Sequence, residues 1–154
     1  MSGAQTGRTR LHEQVSVGEA LPELVLPITR TLIVAGAIAS RDYQDVHHDP
    51  ELARSRGSED VFMNILTTNG LVGRYVTDWA GPGAVLERVA IRLGAPNYPG
   101  DTMTLTGTVT EVAAPDGEGR APVMVAIRGA NSRGDHVTGT VRLTLPGRDV
   151  ARRS

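Results

Sequence analysis

One short stretch, SRDYQDVHHDP at residues 40–50, packs three carboxylates and two imidazoles into eleven residues. Asp42 and His47 stand five positions apart in it, across a segment without helical pattern. This spacing lets a carboxylate and an imidazole reach one point, where together they can bind and deprotonate a water molecule. The usual pKa of histidine is about 6.5, so His47 suits proton exchange near neutrality, and a carboxylate beside it orients the ring or shares the transfer. The stretch predicts general acid–base catalysis, although loops also collect polar residues for solubility.

A metal site in the same stretch is not favoured. His47, His48 and Asp49 are adjacent in a loop, and adjacent side chains rarely converge on one ion. The sequence offers no further pair of ligands. We therefore predict no metal, and we expect Asp49 to cap a short helix that begins at Pro50.

Composition limits the classes of protein. The chain of 154 residues is long enough for one domain with its own core. Its net charge of −1 argues against a nucleic-acid partner. It has no cysteine and no lysine, which excludes a thiolate nucleophile and a Schiff base. The apolar runs are too short to span a bilayer and the N-terminal region lacks a secretory signal, so we predict no membrane association and a cytoplasmic location.

The pattern of apolar residues predicts one long helix followed by strands. Before the acid–base loop, an apolar and β-branched run predicts a strand at about residues 30–38. After it, a helix is predicted to start at Ser58 and to end at Gly81, with apolar residues at three- and four-residue spacing. Apolar and polar residues then alternate from residue 85 to residue 145, which predicts strands joined by hairpin turns.

These elements predict an α+β fold, a single hot-dog domain in which a curved antiparallel sheet wraps around one long central helix. A helix of about 20 residues spans roughly 30 Å, and a strand of about 10 residues spans roughly 34 Å, so one helix can cover the sheet. We place this domain at residues 19–146, after a flexible N-terminal arm at 1–18 and before a flexible C-terminal tail at 147–154. Its exposed sheet edge and helix face predict dimerisation.

The sequence resembles the MaoC-like family of R-specific enoyl-CoA hydratases and dehydratases over roughly residues 20–146. The segments that carry the resemblance are DYQDVH, HDPELA, PNYPGDTMTLTGTVTEV and GDHVTGTVRLTLP. In that family the loop reads Asp-x-Asn-Pro-x-His followed by Asp-Pro, and Asp42 and His47 fall on its catalytic pair. The resemblance implies an enzyme that adds water to a trans-2-enoyl-CoA thioester. It implies no cofactor, since coenzyme A is part of the acyl-CoA substrate.

The chain departs from the family pattern in two places. Gln44-Asp45 replaces the Asn-Pro of the loop, which frees the turn from the fixed φ of proline. At the start of the long helix the family commonly has His-Gly, whose glycine N–H helps to hold the thioester oxygen, and this chain has Asn64 and Ile65. A main-chain donor survives any side chain, so the Ile65 N–H is predicted to bind the oxyanion. Asn64 is predicted to line the substrate pocket.

A narrower resemblance comes from DVFMNILTTNGLVGRYVTDWAGP together with SRDYQDVHHD. Both segments are similar to the dyad-bearing MaoC-like subunits of actinobacterial enoyl-CoA hydratases that act on the shortened steroid side chain in cholesterol breakdown. This resemblance implies a steroid enoyl-CoA substrate and a heterotetramer with a second hot-dog subunit that lacks the catalytic pair. A second copy of the same chain is the alternative partner.

Two other functions stay open. A hot-dog acyl-CoA thioesterase usually has its acid in the long helix, where this chain offers only Asn64, Asn69 and Asp78. A non-catalytic subunit of a heteromer would not need Asp42 and His47. Four arginines on the predicted strands are candidates for the phosphates of coenzyme A, and the sequence does not choose among Arg88, Arg92, Arg128 and Arg142.

Overall fold

In the computed structural model, which describes residues 7–152, one long helix lies across an antiparallel sheet. The strands are β1 (Ala20–Pro27), β2 (Val85–Leu93), β3 (Thr102–Val112), β4 (Arg120–Asn131) and β5 (Gly134–Pro146). The α-helices are α1 (Arg30–Ala39), α2 (Pro50–Ser55), α3 (Ile65–Ala80) and α4 (Arg148–Ala151). Short 3-10 turns occur at His12–Gln14 and Asp45–His47.

The five strands form one sheet in the order β1-β3-β4-β5-β2, and every neighbouring pair is antiparallel. The alternation predicted between residues 85 and 145 is confirmed, because β2 to β5 occupy that region. Alternate residues of the central strands are buried, among them Met103, Leu105, Val123, Val125 and Leu143. This face of the sheet builds the core.

Helix α3 packs on that face. Its 16 residues span about 24 Å, and its buried side has Val72, Tyr75, Val76 and Ala80. The helix ends directly before Gly81, as the sequence predicts. One central helix on a curved antiparallel sheet confirms the predicted α+β hot-dog domain.

The strand predicted at about residues 30–38 is wrong, because this segment is helix α1. Thr29 caps its N-terminus by accepting the Leu32 N–H at 3.0 Å. Ile33 and Ala37, four positions apart, are its buried residues. A helix brings these two side chains to one face, so packing outweighed the β-branched preference of the run. The strand that this part of the chain does form, β1, ends three residues earlier at Pro27.

The predicted helix start at Ser58 is also wrong, since α3 begins at Ile65. The Asp60 carboxylate accepts two hydrogen bonds from Arg30, each of 2.8 Å, instead of capping a helix. Val61 and Met63 are both buried in the core. A non-helical segment that buries alternate residues therefore precedes α3 and lies beside the acid–base loop. The short helix predicted at Pro50 is confirmed, and Asp49 caps it.

Residues 7–18 of the predicted N-terminal arm contact the domain. The Arg10 N–H donates to the Ala80 carbonyl at 2.8 Å, and the Arg10 guanidinium lies 5.2 Å from the centroid of the Trp79 ring. Residues 1–6 of the arm and 153–154 of the tail lie outside the described residues. The domain boundaries at 19 and 146 stay predictions. None of the helices described is long and apolar enough to cross a membrane.

Helices α1 and α3 approach closely at Gly36. A β-carbon at this position would overlap Thr67 Oγ1 and lie 2.8 Å from Thr67 Cγ2. We expect Gly36→Ala to lower the free energy of unfolding by about 1 kcal/mol, because overpacking costs more than the gain in helix propensity. Among residues 7–152, Thr67 Oγ1 finds no hydrogen-bond partner. Adding Thr67→Ala to Gly36→Ala should therefore restore part of the lost free energy of unfolding, which urea denaturation measures. A Gly36→Ala chain as stable as the parent would contradict this packing.

Candidate active site

Asp42 follows the C-terminal end of α1, where the chain turns through a Schellman motif. The Arg41 N–H donates to the Ile38 carbonyl at 3.0 Å. The Asp42 N–H donates to the Ala37 carbonyl at 2.9 Å, which completes the paired pattern of the motif. The left-handed position is usually glycine, but here it is Arg41 with a φ of 57°. The backbone of Asp42 is therefore fixed by a helix end, not by a free loop.

His47 is held by the segment that precedes α3. Its ring is buried, and Nδ1 lies 2.7 Å from the carbonyl oxygen of Phe62. A carbonyl only accepts, so Nδ1 carries the hydrogen, and in the neutral ring Nε2 presents its lone pair. The Phe62 ring packs edge-on against the imidazole with centroids 4.9 Å apart. The Phe62 N–H donates to the Val46 carbonyl at 3.3 Å, which ties this segment to the loop.

The structure brings Asp42 and His47 together. Asp42 Oδ2 lies 3.3 Å from His47 Nε2, and the two side chains are only 15% and 7% exposed. In the neutral ring both of these atoms are acceptors. A water molecule that donates one O–H to each would satisfy both and would turn its own lone pair towards a third group. The pair is thus arranged to bind and activate water.

A cleft of about 310 Å³ opens at the pair. Both Asp42 and His47 line it, and so does Asn64. Its apolar wall is formed by Phe62, Met63, Ile65, Leu93 and Pro96. Residues 7–152 contain no cluster of three or more acidic or histidine side chains placed to hold a metal ion.

The surroundings of Asp42 lower the pKa of its carboxyl group. The largest cause is Asn64, whose Nδ2–H donates to Oδ2 at 3.0 Å. The Gln44 N–H, at 3.4 Å from Oδ1, acts in the same direction, and so does the charge of His47 when its ring is protonated, whereas partial burial acts against them. Hydrogen bonds to the charged form stabilise it. Asp42 is therefore a carboxylate at neutral pH, as a base must be.

Asn64 and Ile65 lie where α3 begins. Asn64 is the N-cap, because its Oδ1 accepts the Thr67 N–H at 3.0 Å. Ile65 is the first residue of the helix, and among the described residues its N–H has no hydrogen-bond acceptor. Helix N-termini favour negative charge. The Ile65 N–H at the edge of the cleft is therefore a suitable donor to a developing oxyanion.

His136, which the sequence alone does not mark as a site residue, also lines the cleft. Its Nδ1 donates to the Ala95 carbonyl at 2.7 Å, and its Nε2 accepts from the Thr68 hydroxyl at 2.8 Å. Burial lowers the pKa of His136. The ring is therefore neutral and offers the cleft no free nitrogen. Thr68 and His136 are far apart in sequence, so no local pattern could reveal their contact.

Two of the four arginines proposed for coenzyme A already have carboxylate partners. Arg128 pairs with Asp135 at 2.5 Å, and Arg142 pairs with Glu87 at 2.6 Å. Within the described part of the chain, Arg88 and Arg92 have no such partner. Their role in phosphate binding stays a prediction.

This combination of a hot-dog domain and a loop Asp and His pair agrees with the comparison to known proteins. Residues 14–126, more than half of the chain, match the family model of the MaoC-like domain. The chain therefore belongs to the MaoC-like family.

Three relatives illustrate the match. The chain is 52% identical, over 84% of its length and 95% of the relative, to the 3-oxo-4,17-pregnadiene-20-carboxyl-CoA hydratase beta subunit of Mycobacterium tuberculosis. A chain in the crystal structure of the ChsH1-ChsH2 complex from the same organism is similar with a TM-score of 0.78 and 51% identity, covering 85% of this chain and 98% of that one. The unliganded R-hydratase PhaJ1 from Pseudomonas aeruginosa has a TM-score of 0.77 at 22% identity, covering 89% and 86%, and supports the fold alone.

The left-handed conformation of Arg41 gives a test of how Asp42 is positioned. The left-handed conformation costs a residue with a β-carbon roughly 1–2 kcal/mol. Glycine avoids this cost, but its unfolded state has more conformational freedom, which offsets part of the gain. We expect Arg41→Gly to raise the free energy of unfolding by about 1 kcal/mol over Arg41→Ala, which keeps the β-carbon. Urea denaturation of the two variants measures the difference. Equal stability would show that the turn is not strained there.

Proposed function

We propose that this protein is an enoyl-CoA hydratase in which Asp42 and His47 activate the attacking water. The observation that carries this proposal is the approach of Asp42 Oδ2 to 3.3 Å from His47 Nε2 at the wall of a cleft. A lowered pKa of Asp42 and the Nδ1–H tautomer of His47 support it, since both leave acceptors facing the same point. The membership of the MaoC-like family supports the reaction class.

The reaction adds the elements of water across the double bond of a trans-2-enoyl-CoA thioester. The water donates its two O–H groups to Asp42 and His47 and aims its lone pair at the β-carbon. One of the two residues takes a proton as the hydroxide adds, and a proton is returned to the α-carbon, so that one water is consumed and no group leaves. Acid–base groups placed in this way contribute about 10²- to 10⁴-fold to rate. The proposal requires no cofactor, because coenzyme A enters with the substrate.

Negative charge develops on the thioester oxygen between the two steps. The Ile65 N–H is the donor that we assign to this oxygen, since it lies at the N-terminus of α3 and lines the cleft. A donor that meets the oxygen where charge develops lowers the barrier more than one that binds the ground state. The Ile65 side chain, which is 51% exposed, lies at the same edge and will restrict how the acyl group enters.

For the natural substrate we propose a steroid side-chain enoyl-CoA. The support is the identity of 52% to a subunit named for a pregnadiene carboxyl-CoA. We further propose a heterotetramer with a second hot-dog subunit, since a similar chain is part of a two-protein complex. Large apolar side chains are exposed at the start of α3 and on the edge strand β2, namely Ile65, Leu66, Val85 and Leu86. Such a surface is suited to a partner subunit.

Two variants test the proposed pair. Asp42→Asn removes the charge but keeps the shape, and His47→Asn keeps a donor to the Phe62 carbonyl while removing Nε2. We expect each to reduce hydration by at least about a hundredfold, with a far-ultraviolet circular dichroism spectrum like that of the parent. The loss of enoyl absorbance measures the rate, for a linear and a steroid enoyl-CoA, with the chain alone and with a MaoC-like partner subunit.

The same assay separates hydration from the alternatives. Near-parental rates in either folded variant would remove the catalytic assignment of the pair. Release of free thiol by the parent chain, without loss of the enoyl group beforehand, would make it a thioesterase. A complex whose activity does not change with either variant would make this chain a non-catalytic subunit.

A further inference from the structure

Every polar atom of the Asn64 side chain is already hydrogen-bonded within the protein, and both N–H donors are used. Nδ2 donates one hydrogen to Asp42 Oδ2 at 3.0 Å and the other to Ser40 Oγ at 2.9 Å. Oδ1 accepts the Thr67 N–H at 3.0 Å. The residue is only 2% exposed. Donation from this amide to a substrate would require one of its two N–H hydrogen bonds to break.

These three bonds join the two halves of the site. Ser40 and Asp42 belong to the turn that ends α1, whereas Thr67 lies in the first turn of α3. The Ile65 N–H follows Asn64 directly in the chain. One amide therefore sets the distance between the carboxylate that would accept from water and the main-chain donor that would meet the thioester oxygen.

We propose that Asn64 is a positioning residue, which keeps the Asp42 carboxylate ionised and aimed at His47 and fixes it relative to the Ile65 N–H. This inference rests on the proposed function only where it concerns rate. The hydrogen bond itself can be tested without any substrate. It differs from the expectation that Asn64 lines the pocket to bind substrate, because it assigns both N–H donors of the amide to the protein.

The groups that surround the Asp42 carboxylate make the prediction specific. His47 is the titratable group that faces this carboxylate. The other polar neighbours of the carboxylate, the Asn64 amide and the Gln44 N–H, are neutral. A donor to the charged form lowers the pKa, so its removal raises the pKa. As the pH is lowered, activity that needs the carboxylate should then be lost at a higher pH than in the parent chain.

Asn64→Asp is the sharpest variant. Aspartate caps a helix as well as asparagine does, so the start of α3 keeps its cap. It replaces the donor with a second carboxylate close to Asp42, and two carboxylates that share a site raise the pKa of the pair. We expect the acid limb of the pH profile of kcat/KM to move up by at least about one pH unit, with little change in KM. At a pH below this limb, the shift lowers kcat/KM by at least about tenfold.

Two companion variants control for stability. Asn64→Ser also keeps a capping hydroxyl but cannot reach Asp42, so the acid limb should move in the same direction by a smaller amount. Ser40→Ala removes the other acceptor of the Asn64 amide and leaves the bond to Asp42, so it should lower the melting temperature without moving the acid limb. If Asn64→Asp does not fold, the comparison of Asn64→Ser with Ser40→Ala decides the question.

A carbon-13 NMR titration of the Asp42 carboxyl in the substrate-free protein gives a readout apart from activity. We expect its titration midpoint to rise in Asn64→Ser and to stay in place in Ser40→Ala. An unchanged midpoint in Asn64→Ser, or a rise in KM alone with the acid limb unmoved, would overturn the positioning role. A raised midpoint in a protein without hydratase activity would instead keep the positioning role and refute the proposed function.

Discussion

The close approach of α1 and α3 is the constraint on which the site depends. Gly36 lets the two helices meet at Thr67, and the end of α1 then lies beside the start of α3. Asp42 follows the end of α1, three residues before the 3-10 turn that ends in His47, and Asn64 caps α3. Asp42 and Asn64 therefore both depend on helix ends that the core fixes. An overlap at Gly36 would separate the carboxylate from the amide that binds it.

A backbone carbonyl and a side-chain amide complete the polar arrangement around this contact. The Phe62 carbonyl selects the Nδ1–H tautomer of His47, and the Asn64 amide stabilises the charged form of Asp42. Both effects leave acceptors facing one point at the cleft. The first N–H of α3 belongs to Ile65, which lines the same cleft, and a helix N-terminus favours negative charge. Acceptors for water on one side and a donor for an oxyanion on the other are what addition to an unsaturated thioester requires.

The sequence predicts much of this arrangement where the signal is local. The alternation of apolar residues was enough to predict strands in the region of β2 to β5, and the Asp-Pro pair was enough to predict the start of α2. The strand expected near residue 33 is a helix because its β-branched run buries Ile33 and Ala37 on one face, which only tertiary packing selects. The start of α3 was misplaced because Asp60 pairs with Arg30, a contact between residues 30 positions apart.

In the site, too, local signals were visible in the sequence and long-range contacts were not. Asp42 and His47 were singled out from their types and spacing and assigned as a pair through the family resemblance, and the structure places them together. The contacts of Asn64 with Ser40 and of His136 with Thr68 join residues 24 and 68 positions apart, so no local pattern contains them. The role of the Phe62 carbonyl could not be predicted either, because a main-chain oxygen has no signature in the residue type.

The most direct test of the account follows the fate of water oxygen. An enoyl-CoA thioester is incubated with the protein, alone and with a MaoC-like partner subunit, in water enriched in the heavy oxygen isotope, and the products are analysed by mass spectrometry. The account predicts an intact CoA thioester that contains the heavy isotope in a hydroxyl group on the β-carbon. Heavy isotope found only in a free carboxylic acid, with coenzyme A released, would contradict it.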